Sequence, residues 1–243
     1  MVTYAPRIVQ CFSPSPDTAL LLIGEAPGPR GADRTGYPFW GDDAGLSLYE
    51  LVGCLGLLDE PFTPWQRGAD LSGTTPPSGR YAITNSCTQM PIGKDAKFRA
   101  PPKSRLDLEA PRLLEEIKAI RPGLVLACGK SAAYTLARAA LTESSNLPAP
   151  LARPFSRINL KQAIEALLNQ DSTAQWRVGG AIALVTAHPA RTHWTQSSEY
   201  RELHAAVVRT LHQAIKSRQQ NLRPKTQRAS HPDRTTKRQH APR

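Results

Sequence analysis

Cysteine is scarce in this chain of 243 residues: Cys11, Cys54, Cys87 and Cys128 are its full complement, and none forms a CxxC pair. That spacing matches neither a zinc site nor a secreted disulfide framework, so reduced, partly buried thiols are expected. Long apolar runs are also missing. Nothing approaches the ~18 consecutive apolar residues that a membrane-spanning helix needs. The opening MVTYAPRIVQCF lacks the charged-then-apolar layout of a signal peptide, so a cytoplasmic protein is expected. There is no GK[ST] after a glycine-rich loop, no GxGxxG and no internal repeat, which sets aside the common phosphate-cradling motifs and solenoid folds.

Acidic residues are outnumbered, 20 Asp and Glu against 31 Lys and Arg, for a net charge of +11. The excess is unevenly placed. From Lys216 to Arg243 there are nine basic residues and one acidic residue, Asp233, so this stretch carries +8 and residues 1–215 only +3. With almost no apolar side chains it cannot offset the entropy of ordering, and a disordered basic tail over 216–243 is expected behind a domain of residues 1–215. Such an arm is either an electrostatic partner for polyanions or a solubilising extension.

What the sequence does contain is an alternation of apolar runs and helical periodicities. Ala19–Ile23, Tyr81–Cys87, Gly123–Cys128 and Ala181–Thr186 read as buried strands. Leu46–Leu57, Leu106–Ile120, Lys130–Leu141, Ile158–Asn169 and Ser197–Ile215 read as helices, with Pro61–Gly79 and Ser144–Pro154 as long loops. Strands alternating with helices predict a three-layer α/β/α fold around a mainly parallel, four-stranded sheet. In such folds ligands gather at the carboxyl ends of strands. Here those ends open at Gly24, Asn85, Gly129 and His188.

The first of these loops, Gly24 to Asp42 (GEAPGPRGADRTGYPFWGD), holds five glycines and three prolines. That composition gives a shaped loop with close backbone approach to a ligand. GEAPG at Gly24–Gly28, followed by RTGYPFWGD at Arg34–Asp42, resembles the first motif of uracil-DNA glycosylases. GEAPG is the form of the iron–sulfur group, family 4, whereas GADRTGYPFWGD resembles family 5. Ile83-Thr84-Asn85 resembles the strand end that holds the base-reading Asn of family 4. Leu126–Ala133 (LACGKSAA) and Thr186–Ala190 (TAHPA) resemble the two later motifs. The matches occur in family order between Ala19 and about Tyr200, and they imply the uracil-DNA glycosylase-like fold.

Two departures qualify the likeness. The iron–sulfur group ligates its cluster with four cysteines, but here Cys11 stands alone near the N-terminus and Gln89 occupies the place after the ITN strand, with Cys87 two residues early. A cluster needs four thiolates, so no cluster, metal or other cofactor is expected. Against family 5, Glu25 stands for the usual Leu and Asp33 for the usual Asn, and Pro61–Gly79 and Ser144–Ala174 look enlarged.

The resemblance implies an enzyme that flips a nucleotide from DNA, stacks its base, reads its edge and stabilises the leaving anion. Phe39 is the stacking candidate, the other reading being a core aromatic. Asn85, with Ala26, lies where the base is bound; its amide offers donor and acceptor together, the other reading being a strand-end Asx turn. His188 is placed to donate to base O2, without full proton transfer, the other reading being a core or N-cap histidine. Asp42 is the choice for positioning the attacking water, with Glu25 as rival and Asp43 as a weaker one. The competing reading of Asp42 is a helix N-cap. Arg191 and Trp194, in the loop after His188-Pro189, are candidate wedges into the minor groove, though Trp194 equally suits a core position. Lys130 and Ser131 open a helix and can hold a phosphate, as can Arg34. The sequence thus predicts a monomeric, monofunctional DNA glycosylase acting on uracil or a related deaminated base. Its alternatives are a glycosylase for another modified base, including a phage base, and a binding protein that kept the fold without catalysis.

Overall fold

The computed structural model describes residues 2–143, 146–170, 175–189 and 198–222. A short ribbon pairs β1 (Thr3–Tyr4) antiparallel to β4 (Pro91–Ile92). The central sheet holds β2 (Leu20–Gly24), β3 (Tyr81–Asn85), β5 (Leu124–Cys128), β6 (Arg177–Val178) and β7 (Ala181–Thr186), in the order β3-β2-β5-β7-β6. The four predicted strands are all present and mutually parallel. Leu20 to Ile23 of β2 are fully buried, each contributing roughly 2 kcal/mol of apolar burial. The correction is the fifth strand. β6 runs antiparallel to β7 across Gly179-Gly180, both at positive φ (57° and 84°), the backbone that a two-residue hairpin turn requires.

Helices flank the sheet: α1 (Ala32–Thr35), α2 (Asp43–Cys54), α3 (Lys103–Ile120), α4 (Lys130–Leu141), α5 (Leu160–Leu168) and α6 (Ser198–Leu222). The periodicity located all but the short α1, with displaced ends. α2 starts at Asp43, ahead of the apolar stripe, because Asp42 caps it. α6 continues past Ile215 to Leu222. Lys216–Leu222 (KSRQQNL) is rich in good helix formers, and the first residue unable to continue is Pro224. The expectation of disorder from Lys216 is therefore corrected for residues 216–222. The long Pro61–Gly79 loop is pinned by aromatic packing. Phe62 stacks on Tyr49 at 5.9 Å, Trp65 meets Trp40 edge-on at 4.7 Å, and the Trp40 indole donates to Thr74 Oγ1 at 2.9 Å. Among the described residues no helix is long and apolar enough to cross a membrane.

Chain direction places the site. From β2 the chain moves to β3 on one side, then crosses back to β5 on the other. The carboxyl end of β2 is thus the topological switch point, where a crevice opens between diverging connections.

Candidate functional site

A cleft of about 1360 Å³ opens at that point. Glu25, Ala26, Phe39 and Asp42 line it from the loop after β2, and Asn85 from the end of β3. Lys130, at the start of α4, and His188, just after β7, complete the same wall, with Arg34 at the rim. Sequence-distant residues meet here because the parallel register sets Gly24 opposite Asn85 and Cys128 opposite Thr186.

The floor is built on Gly24. A β-carbon there would lie 2.3 Å from the Phe39 ring and 2.4 Å from Asn85 Oδ1, so only glycine lets ring and amide close over the strand end. Phe39 itself takes a left-handed backbone (φ 61°), uncommon for an aromatic residue, and its carbonyl presses against Gly45 of α2. Its ring lies 5.9 Å from the His188 ring at a tilt of 31°. Asn85 is 1% exposed, yet neither Oδ1 nor Nδ2 finds a hydrogen-bond partner among the described residues. A buried amide with a free donor and acceptor costs roughly 1–3 kcal/mol unless a ligand completes it. Its backbone, by contrast, is held firmly. Arg112 Nη2 donates to the Asn85 carbonyl at 2.6 Å, and Arg112 Nε donates to the buried Glu109 carboxylate at 2.6 Å. Arg112 also pairs with Glu116, which accepts from Thr84 Oγ1 at 2.8 Å.

Asp42 caps α2 and also lines the cleft. Its Oδ1 accepts from Gly45 N at 2.7 Å, capping α2, while the residue still faces the cleft. Burial pushes its carboxyl up to about 6, opposed by the Gly45 bond and reinforced by the neighbouring Asp43 carboxylate. Glu25 is held differently: Ser131 Oγ donates to it at 2.8 Å. Ser131 is 3% exposed, and its hydroxyl supports Glu25 from behind. Lys130 directs its ammonium at the Ser156 carbonyl (3.3 Å) and over the Phe155 ring (5.2 Å). Arg34 pairs with Asp70 at 2.9 Å, tying the first loop to the long one. Arg191 and Trp194 lie outside the described residues.

Sequence reasoning missed several lining residues. Arg67, Gly68 and Ala69 come from the pinned loop, Leu160 from α5 and Tyr200 from α6. Phe98 and Ala100 come from the segment after β4. No local signal marked them, since their place depends on how distant elements pack. The four cysteines do not fit an iron–sulfur cluster. Cys54 is exposed at the end of α2, Cys128 is buried at the end of β5, and burial pushes the Cys11 and Cys128 thiols up to about 12. Beside β3, Gln89 accepts from Arg105 at 3.2 Å and donates to the Ala5 carbonyl at 3.0 Å, so polar packing occupies that place. Among the described residues no group of three or more His, Cys, Asp or Glu could hold a metal ion.

Comparison with known proteins agrees with this geometry. The family model described as the uracil DNA glycosylase superfamily matches residues 12–212. A 58-residue stretch is 48% identical to a protein named type-5 uracil-DNA glycosylase from Thermus thermophilus. That match covers 24% of this chain and 26% of the relative, about a quarter of each.

Proposed function

Because the chain belongs to the uracil DNA glycosylase superfamily, we propose that it is a monofunctional DNA glycosylase for uracil or a related deaminated or modified base. One observation carries the reading: the buried, unpartnered Asn85 amide beside the Phe39 ring, in a cleft shared by Asp42 and His188. A base flipped into the cleft stacks on Phe39 and satisfies the Asn85 donor and acceptor along its edge. Water attacks the sugar C1′ while the N-glycosidic bond breaks. The water's proton passes to the Asp42 carboxylate, and the bonding electrons leave with the base. His188 donates to the developing negative charge on the base, an interaction strongest in the transition state. Ala26 borders the base. Glu25, oriented by Ser131, is the second acid of the cleft. Arg34, Lys130, Arg191, Trp194 and the backbone N–H of Ser131 supply DNA contacts around it, and the protein acts as a monomer without a cofactor.

Oligonucleotides carrying a single uracil, hypoxanthine, xanthine or modified cytosine, as single strands and in duplexes, test this by strand scission after alkali. One base should be released by the wild type. Asp42→Ala, Asn85→Ala and His188→Ala should each slow the single-turnover rate by about a hundredfold or more. Release unaffected by all three variants overturns the assignment. DNA binding with no release of any base supports a binding protein that has kept the fold.

A further inference from the structure

Between β4 and α3 the chain makes a compact turn that the glycosylase reading does not use. Gly93 N donates to Lys97 O at 2.8 Å, Ala96 N to Gly93 O at 3.0 Å and Arg99 N to Pro91 O at 3.1 Å, while Phe98 bridges back to Ile92. The Arg99–Asp95 ion pair closes the side, and a β-carbon on Gly93 would run into both side chains. The turn is therefore a defined ribbon with a fixed display of side chains.

That display combines two features. Phe98 is 37% exposed, lines the cleft that holds Asn85 and Asp42, and makes no ring contact with another aromatic among the described residues. Lys94 and Lys97, at the tip, are exposed and form no ion pair among the described residues. A part-exposed ring with no aromatic neighbour among the described residues, flanked by cations, has the chemistry of a single-strand contact. Bases stack on the ring whatever their identity, and the cations track the phosphates. A base inside a duplex already has both faces stacked, so the ribbon favours an unpaired one.

We propose that the Pro91–Arg99 ribbon is a second nucleic-acid contact, in which Phe98 stacks on an unpaired base adjoining the flipped nucleotide and Lys94 and Lys97 hold that strand's phosphates. The inference rests on the glycosylase reading for its ligand, DNA. Its test does not depend on catalysis. Affinity for a short oligothymidylate is measured by fluorescence anisotropy across a salt series, for the full chain and its variants. Phe98→Ala should weaken binding by about tenfold with the salt slope kept, and Phe98→Tyr should restore it. Lys94→Gln combined with Lys97→Gln should lower the slope of log K against log salt by about 1.4. Leu108→Ala, an equally bland truncation at a 76% exposed apolar residue on α3, should bind as the wild type does. Wild-type affinity in Phe98→Ala overturns the proposal, even if the enzyme excises a base. Weakened binding in that variant upholds the ribbon, even if no base is ever released.

Discussion

At the scale of single residues, the proposed mechanism gives Asp42 two duties whose pH dependences differ. As a helix cap it works in either charge state, because the neutral acid still offers an oxygen to Gly45 N. As acceptor for the water's proton it must be ionised. Its carboxyl is pushed up to about 6, above the ordinary aspartate value, by burial. A raised folded-state value means that the neutral form stabilises the fold. That contribution is complete below about pH 4 and is lost as pH rises through about 6. The single-turnover rate should therefore fall with an acid limb centred near pH 6, tenfold per unit below it. Asp42→Asn, which keeps the cap and cannot ionise, should lose excision. It should also unfold a few degrees higher than wild type at pH 8, with the gap closing by pH 4. A rate profile flat from pH 5 to 8 would move the proton acceptor's role to Glu25. The motif reading marked Phe39, Asp42, Asn85 and His188, which all line the cleft, because motif chemistry is local to each strand end. It did not find that Ser131 turns inward to Glu25, since that bond joins residues 106 positions apart.

Elements position these residues through one polar brace. α3 carries Glu109, Arg112 and Glu116 on the face toward β3, and Arg112 reaches the Asn85 carbonyl. Glu109 is buried and also held by Arg105. The periodicity of α3 marked Leu113, Leu114 and Ile117 as its buried face, and all three are buried. The charged residues beside them carry no local signal of burial, and only the packing of α3 beside the strand end reveals a buried network. Arg112→Met leaves Glu109 with one partner in an apolar setting and should cost about 3–5 kcal/mol of stability, read from chemical denaturation. Adding Glu109→Gln should recover most of that. Excision should stay impaired in the pair, with the loss mainly in the rate at saturating DNA, because the Asn85 carbonyl then loses its Arg112 donor. Full recovery of both would show the brace to be structural only. The missing β6 is a different kind of omission. Arg177-Val178 is too short to show alternation, although Gly179-Gly180 was a visible hairpin turn.

At the scale of the whole molecule, the positive charge is unevenly divided. The domain contributes little net charge, and most of the excess lies beyond Ile215. Composition alone set that boundary, but helix propensity carries α6 on to Leu222, so the useful cut lies seven residues later than the charge count implied. From Arg223 onward the chain holds seven basic residues against Asp233. Truncation after Leu222 removes that charge while keeping α6 whole; truncation after Ile215 also removes the end of the helix. If the tail adds sequence-independent attraction to DNA, the first truncation should weaken binding to an unmodified oligonucleotide at low salt. It should also lower the slope of log K against log salt by about 1 to 4. The two truncations should then behave alike in binding and differ in melting temperature, because Arg218 packs against Gly123 at the start of β5. An unchanged slope in both would leave the tail a solubilising extension and confine DNA attraction to the domain itself, where Arg34 lines the cleft and Lys94 and Lys97 lie on the neighbouring ribbon.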